Sequence, residues 1–293
     1  MKTKLFTTIC LAICLTGAFE MLAQSENFKN GKQAYLNGQS ADALKYLQIA
    51  VTEDKFLMKG KDLPLAYAYM SIVKGRFLAA TLNSDNISLI KSNPGTLNSS
   101  ISDLKLALEF NGDKTIGTIH EAENLIHTNA LRLGEIISKR LLNMDLDNPS
   151  DEAKELAGIM NFELKSYTEI DTNNWLIYDM LGLGHMVLGE QQLAMLDFKR
   201  AREVHEAINP ETTTEIHLRN FIYSTKYYFS EAKDPMETEV VTQQGIDYIH
   251  KMAHQPGNDT MENIKRLSII ENSFSNMRKS LGNEVISISS NKE

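Results

Sequence analysis

Two histidines, His250 and His254, are spaced so that they would share one face of a helix, and such a pair can bind a metal ion. Protein zinc sites normally take at least three ligands from the chain, and the sequence identifies no third ligand here. The runs that begin at His120 and His205 each continue with glutamate but lack the second histidine of a His-Glu-x-x-His zinc motif. We therefore predict no metal centre and no cofactor.

Catalytic patterns of other kinds are weak as well. The Gly-x-Gly segment 182–184 falls inside a predicted helix, whereas a phosphate-binding loop follows a strand. No serine stands in a nucleophile motif. The sequence therefore predicts a protein that is not an enzyme.

Composition favours helices and argues against a nucleic-acid partner. The 293 residues include 34 Leu but only 7 Val and 6 Pro, a balance typical of helices rather than strands. Asp and Glu outnumber Lys and Arg by 38 to 30, which gives a net charge of −8. Because phosphate backbones are bound by clustered basic residues, we predict no nucleic-acid partner.

The N-terminus has the pattern of an export signal. Lys2 and Lys4 precede an apolar run of 15 residues, Leu5–Phe19, and small residues follow near Ala23. A membrane-spanning helix needs about 20 apolar residues, so we predict cleavage after residue 23 rather than a stable membrane span. The mature chain would be one domain over residues 24–283 with a polar tail at 284–293.

Both cysteines lie inside this apolar run. Cleavage would therefore leave a mature chain without thiols or disulfides. The alternative is a lipoprotein signal ending at Cys14, but Ile13 occupies the position where that motif takes a small residue. We predict export without lipidation, to the periplasm or the outer surface.

An internal repeat organises the rest of the chain. In the segment 175–208, small and large apolar residues recur at spacings suited to two closely packed helices. The same spacing recurs over residues 24–57. The shared positions in the two copies are Gly182, His185, Gly189, Ala194, Phe198 and Ala201 in the later copy, and Gly31, Ala34, Gly38, Ala43, Leu47 and Ala50 in the earlier one. His185 stands where an aromatic residue is usual in such repeats, so we predict that it packs rather than binds a ligand.

This pattern resembles the tetratricopeptide repeat family, whose 34-residue unit is a helix-turn-helix. The resemblance implies an all-α, right-handed α-solenoid of about five helical hairpins with a C-terminal capping helix. The predicted helix pairs are 26–37 with 40–54, 62–82 with 97–110, 115–143 with 151–170, 174–188 with 190–207, and 212–231 with 237–254, closed by a helix at 260–281. An insertion over residues 83–98 contains the turn signal Asn93-Pro94-Gly95.

Proteins of this family bind peptides or partner helices in a groove lined by the first helix of each repeat. Transferring the family's groove positions gives a candidate surface on the first and fourth predicted pairs. Its residues are Phe28, Lys32, Tyr35, Leu176, Asp179, Met180, Leu183 and Met186. The alternative is that neighbouring helices cover the apolar members. Phe28 and Lys32 replace the Lys and Asn with which the chaperone-binding branch clamps a carboxylate, so we do not predict a clamp.

A cluster of aromatic residues over 221–229 allows two interpretations. The rings do not form one row on a helix, which favours core packing. The alternative is a stacking platform for a sugar or a peptide. The cluster consists of Phe221, Tyr223, Tyr227, Tyr228 and Phe229.

Together these features predict an exported scaffold, without catalysis, that binds a protein or peptide partner in the cell envelope. The alternative is an accessory protein for glycan binding and uptake, built on the same repeat frame. The signal, with its early lysines and its Ala-Gln end, resembles those of exported proteins of Bacteroidota.

Overall fold

A computed structural model describes residues 25–58, 60–111, 117–146, 148–209, 215–254 and 260–290. Within these ranges all regular structure is helical and there is no strand, which confirms the predicted all-α class. The predicted signal segment 1–23 lies outside the described residues.

The helices follow the predicted pairs closely. The first six are α1 (Glu26–Leu36), α2 (Ser40–Thr52), α3 (Asp62–Asn83), α4 (Ile87–Ser92), α5 (Thr96–Asn111) and α6 (Gly117–Leu142). The next six are α7 (Asp151–Tyr167), α8 (Trp175–Val187), α9 (Gln191–Ile208), α10 (Glu215–Lys226), α11 (Pro235–Ala253) and α12 (Met261–Ser290). A 3₁₀ turn, Lys55–Leu57, follows α2, and a π-helical turn, Tyr227–Glu231, follows α10.

Three elements differ from the prediction. The insertion contains the short helix α4, which begins because the side chain of Asn86 accepts a hydrogen bond from the Ser88 amide at 3.0 Å. Helix α10 ends at Lys226, where the expected helix over 212–231 changes to π geometry. Helix α12 continues past residue 281 to Ser290.

Helix starts follow from local capping chemistry. Ser150 accepts a hydrogen bond from the Ala153 amide at 3.2 Å and starts α7. Asp234 accepts from the amides of Met236 and Glu237 and starts α11, whose first residue is Pro235. These bonds satisfy amides that have no partner within the helix.

The chain divides into two compact units, the first ending at Ala130 and the second beginning at Leu131. The division falls within helix α6. The prediction of a single domain over residues 24–283 stays a prediction.

The two sequence repeats have the same close helix contact. A Cβ placed on Gly31 of α1 would lie 2.7 Å from Cγ of Leu47 on α2. A Cβ on Gly182 of α8 would lie 2.7 Å from Cδ1 of Phe198 on α9. Both glycines therefore let a large apolar side chain of the paired helix approach the backbone, as the repeat spacing predicts.

The turns inside these two pairs also match. Gly38 and Gly189 have φ angles of 73° and 79°, in the left-handed region that favours glycine. In each turn the amide after the glycine, on Gln39 or Glu190, donates to the carbonyl five residues earlier at 2.9 Å. The chain reverses in the same way at both places.

In the first unit, α1 packs on α2, α2 on α3, and α3 on α5. Helix α3 also contacts the two predicted first helices beside it, α1 and α6. The contact with α6 is close because Asn129 donates to the carbonyl of Gly75 at 2.8 Å and Leu125 packs on the same glycine.

The second unit repeats this pattern. Each helix from α7 to α12 packs on the next one. Alternate helices also touch: Gly134 of α6 contacts Met180 of α8, and Arg219 of α10 pairs with Asp179 of α8. The apolar core between α10, α11 and α12 includes Phe274, which packs over Gly245.

Candidate partner-binding site

The predicted groove residues of α8 are core residues. The exposed fractions of Met180, Leu183 and Met186 are 7%, 3% and 8%. Met180 fills the space beside Gly134 of α6. These three side chains therefore do not line an open groove. The alternative interpretation, in which neighbouring helices cover these side chains, agrees with the structure.

The polar member of this set is also engaged. Asp179 accepts a hydrogen bond from Nη1 of Arg219 on α10 at 2.6 Å. Burial raises the pKa of Asp179, and the opposing effect of Arg219 is smaller. Leu176, one turn earlier, is half-buried. Asp179 therefore joins α8 to α10.

The α1 members of the predicted surface differ from one another. Phe28 is buried, whereas Lys32 is exposed. Tyr35 is half-buried, and its ring lies 4.4 Å from the ring of Tyr69 on α3, between centroids. Lys32 and Tyr35 are thus the predicted residues that the structure leaves at the surface of α1.

Tyr35 takes part in a three-residue polar group, Tyr35–Arg76–Glu121, which we call the first-helix triad. Arg76 of α3 donates from Nη2 to the Tyr35 hydroxyl at 3.2 Å and to Oε1 of Glu121 at 2.8 Å. The Tyr35 hydroxyl lies 3.4 Å from the same glutamate oxygen. The triad joins α1, α3 and α6, which are the predicted first helices of three successive pairs.

The first-helix triad combines an aromatic base with exposed charges. The guanidinium of Arg76 lies 5.1 Å from the centre of the Tyr35 ring, a cation–π arrangement. The side chains of Arg76 and Glu121 keep 51% and 48% of their surface exposed. Burial raises the pKa of Tyr35, Arg76 opposes the rise, and Glu121 adds to it, so Tyr35 stays neutral at physiological pH. The triad can offer hydrogen bonds and charge to a partner, but it contains no activated nucleophile.

Sequence reasoning located Tyr35 but not Arg76 or Glu121. Both missed residues lie on helices whose spacing did not match the repeat, so no groove position could be transferred to them. The signal that could have indicated these two residues is that α3 and α6 are the first helices of their predicted pairs.

His185 has a more polar role than the predicted packing role. Its Nδ1 lies 2.5 Å from Oε2 of Glu190, and its Nε2 lies 3.4 Å from Oδ2 of Asp197. Burial raises the pKa of Asp197 to about 6, against the opposing effects of His185 and Lys165. The imidazole thus links the turn after α8 to helix α9.

The two histidines that the spacing would place on one helix face, His250 and His254, have other partners. His250 Nε2 lies 2.9 Å from Glu271 on α12, and His254 Nδ1 lies 2.7 Å from the backbone carbonyl of His250. Among the residues that the structure describes, no group of three or more His, Cys, Asp or Glu side chains could hold a metal ion.

The aromatic cluster divides between core and surface. Phe221 is buried and its ring lies 5.4 Å from that of Tyr248, while Tyr223 stacks on Phe198 at 4.9 Å. Tyr227 and Tyr228 are half-buried in the π turn, with ring centroids 5.3 Å apart. Phe221 and Tyr223 therefore pack in the core, whereas Tyr227 and Tyr228 remain partly open to solvent.

None of the described helices combines the length and the apolar character that crossing a membrane requires. No protein-family model matches the chain, and no curated protein matches it.

Proposed function

We propose that the protein is an exported scaffold of the tetratricopeptide type that binds a protein partner in the cell envelope and performs no catalysis. The first-helix triad carries this proposal. It connects the first helices of three successive pairs and leaves a guanidinium and a carboxylate half-exposed beside Tyr35. In stacked helical hairpins, first helices form the surface that receives extended peptides or partner helices.

The contacts between alternate helices support a solenoid. Helix α3 contacts α1 and α6 in the first unit, and α8 contacts α6 and α10 in the second. A right-handed array of stacked hairpins requires such contacts between successive first helices. Small-angle X-ray scattering tests the array, because a compact globule of about 270 residues has a radius of gyration of roughly 18 Å and a solenoid exceeds it.

The partner surface is testable by photocrosslinking on the full mature chain. A benzoylphenylalanine replaces Lys32, which is exposed on α1 one turn before Tyr35, and, as a control, Lys154, which is exposed on α7. Irradiation of envelope fractions should give a crosslinked species of defined mass from position 32 and none from position 154. Equal products from both positions would contradict the proposed surface.

A charge reversal then tests the first-helix triad itself. Arg76→Glu places two carboxylates together and should abolish the crosslink from position 32. Arg132→Glu, on the same kind of exposed helix surface, should leave the crosslink intact because Arg132 lies outside the triad. Both arginines are about half-exposed, so neither change should unfold the chain. A crosslink that survives Arg76→Glu would remove the triad from the interface.

Export is tested separately. The early lysines and the apolar run support cleavage after Ala23. Mass spectrometry of the mature protein should find Gln24 as the first residue, and fractionation should place the protein in the periplasm or at the outer surface. An intact N-terminus on a cytoplasmic protein would contradict export.

Glycan binding is the second candidate function, and the π turn supports it. Tyr227 and Tyr228 present two half-buried rings, and the carboxylates of Asp234 and Glu237 are near enough to raise the pKa of Tyr228 along with burial. Aromatic faces with neighbouring carboxylates suit sugars. Calorimetry with soluble oligosaccharides should then show binding that Tyr228→Ala removes. If no oligosaccharide binds, the protein-binding function stands alone.

A further inference from the structure

Two buried histidines and a half-buried arginine lie between α9 and α10 in the second unit. His205 of α9 and His217 of α10 are only 4% and 1% exposed, and their rings meet edge to face at 5.0 Å. Arg202, one turn before His205, places its guanidinium 5.0 Å from the ring centre of Phe221, one turn after His217. The three basic side chains therefore occupy two adjacent turns of one helix interface.

Each of these side chains has a buried nitrogen atom without a hydrogen-bond partner among the described residues. The atoms are Nε of Arg202, Nδ1 of His205 and Nε2 of His217. A buried donor that loses its water costs free energy unless another group accepts its hydrogen. Arg202 Nε always carries a proton, and each imidazole nitrogen donates when the ring proton lies on it, so an acceptor at this interface can pair with all three.

The tautomer of His217 decides whether its unpaired nitrogen, Nε2, is a hydrogen-bond donor. Burial and, to a smaller extent, the neighbouring His205, Arg202 and Lys251 together lower the pKa of His217 to about 4, so the ring is neutral at pH 7. Its Nδ1 lies 2.6 Å from the Tyr248 hydroxyl. When Nδ1 accepts that hydroxyl proton, the ring proton lies on Nε2.

Charge decides what kind of acceptor fits. Arg202 and Lys251 make the surroundings of His217 positive, which disfavours a metal cation. The carboxylate of Glu206 has its Oε1 3.9 Å from Nδ1 of His217, but its side chain is 47% exposed and its charge is screened by water. A water molecule accepts at most two hydrogen bonds, so it could pair with only two of the three nitrogens as donors and would need acceptors for its own two hydrogens.

We propose that Arg202, His205 and His217 form a binding site for a small inorganic anion of chloride size. The anion accepts hydrogen bonds from the three buried nitrogens and offsets the positive charge between α9 and α10. The site is separate from the first-helix triad and does not depend on partner binding.

Chloride alone is the probe. The thermal unfolding midpoint of the full mature chain is measured at pH 7.5 and constant ionic strength while sodium chloride replaces sodium gluconate, whose anion is too large for a buried site. Binding to the native state should raise the midpoint with the logarithm of chloride concentration. Equal midpoints in chloride and gluconate would overturn the proposal.

A matched pair of variants locates the effect. Arg202→Met keeps an unbranched apolar stem over Phe221 but removes Nε, so the chloride response should disappear. Arg200→Met, two residues earlier on α9, removes an exposed guanidinium that lies over Tyr178, and it should keep the full response. A chloride response of equal size in both variants would place the anion elsewhere.

Two measurements on the unaltered protein keep the test independent of variant stability. By NMR, chloride should raise the pKa of His217, because a bound anion stabilises the protonated ring. Crystals soaked in sodium bromide should show an anomalous peak within hydrogen-bonding reach of the three nitrogens. Absence of the peak together with an unchanged His217 titration would refute the site.

Discussion

Arg219 of α10 reaches across to α8 and donates a hydrogen bond to Asp179 at 2.6 Å, which pairs two helices that are not consecutive in the chain. The side chain of Asp179 is only 14% exposed, and its second oxygen, Oδ1, has no hydrogen-bond partner among the described residues. Burial raises the pKa of Asp179 despite the arginine. The ion pair thus compensates for a buried carboxylate rather than adding a large net stabilisation.

Removal of the arginine should therefore cost more than removal of both charges. Arg219→Met leaves the Asp179 carboxylate buried without its partner, and the free energy of unfolding should fall by about 2–3 kcal/mol. The double variant Asp179→Leu with Arg219→Met should recover most of this loss. Urea unfolding of the two single variants and the double variant measures the coupling. Equal losses in Arg219→Met and the double variant would show that the pair contributes nothing through its charges.

The helices were predictable because the signals that specify them are local. Gly31 and Gly182 mark close contacts within a pair, and Gly38 and Gly189 mark the turns, all within one repeat length. Helix α4 was missed because its six residues are too few for a periodic pattern to show.

Exposure of the predicted groove was not predictable in the same way. Whether Met180 faces solvent depends on Gly134, which lies 46 residues earlier in the chain on another helix. The first-helix triad has the same origin, since Arg76 is 41 residues from Tyr35 and 45 from Glu121. Contacts over such separations depend on how helix pairs stack, which periodicity within one helix does not specify.

Met180→Asp provides a test of this correction. A carboxylate at a 7% exposed position against α6 loses its contact with water, so we expect the free energy of unfolding to fall by at least about 4 kcal/mol. Leu193→Asp, at a 46% exposed position on α9, should change it by less than about 1 kcal/mol. Circular dichroism during thermal unfolding compares the two. A stable Met180→Asp protein would restore the open-groove interpretation.

Gly182→Ala tests the close contact within the fourth predicted pair. The added Cβ would lie 2.7 Å from the Phe198 ring, and the free energy of unfolding should fall by about 1–3 kcal/mol as the ring shifts. Gly158→Ala is the control, because a Cβ there meets nothing within 4 Å. Alanine favours a helix over glycine by up to about 1 kcal/mol, so this control should be stabilised. Chemical denaturation of both variants distinguishes contact from helix propensity; equal effects would show that Phe198 adjusts without cost.

Half-buried Asp197 and buried His217 give the second unit opposite responses to pH. The pKa of Asp197 is about 6 in the folded chain, above its ordinary value of 3.8, so the native state binds the extra proton between these values. Its contribution to stability is present at low pH and is lost as pH rises toward 6. The pKa of His217 is about 4, below its ordinary 6.5, so the unfolded state binds the extra proton. Its contribution is present above pH 6.5 and is lost as pH falls toward 4.

Single variants should separate these two slopes. Each group changes the free energy of unfolding by at most about 3 kcal/mol across its window, and in the unaltered protein the two changes largely cancel between pH 4 and 6. Asp197→Asn leaves the His217 effect, so stability should fall on acidification. His217→Asn leaves the Asp197 effect, so stability should rise on acidification. Urea unfolding at half-unit pH steps measures both slopes. The buffer contains no chloride, so that no bound anion raises the pKa of His217. Because the two expected slopes have opposite signs, a shift of the same sign in both variants would show that at least one of these two groups titrates outside its assigned window.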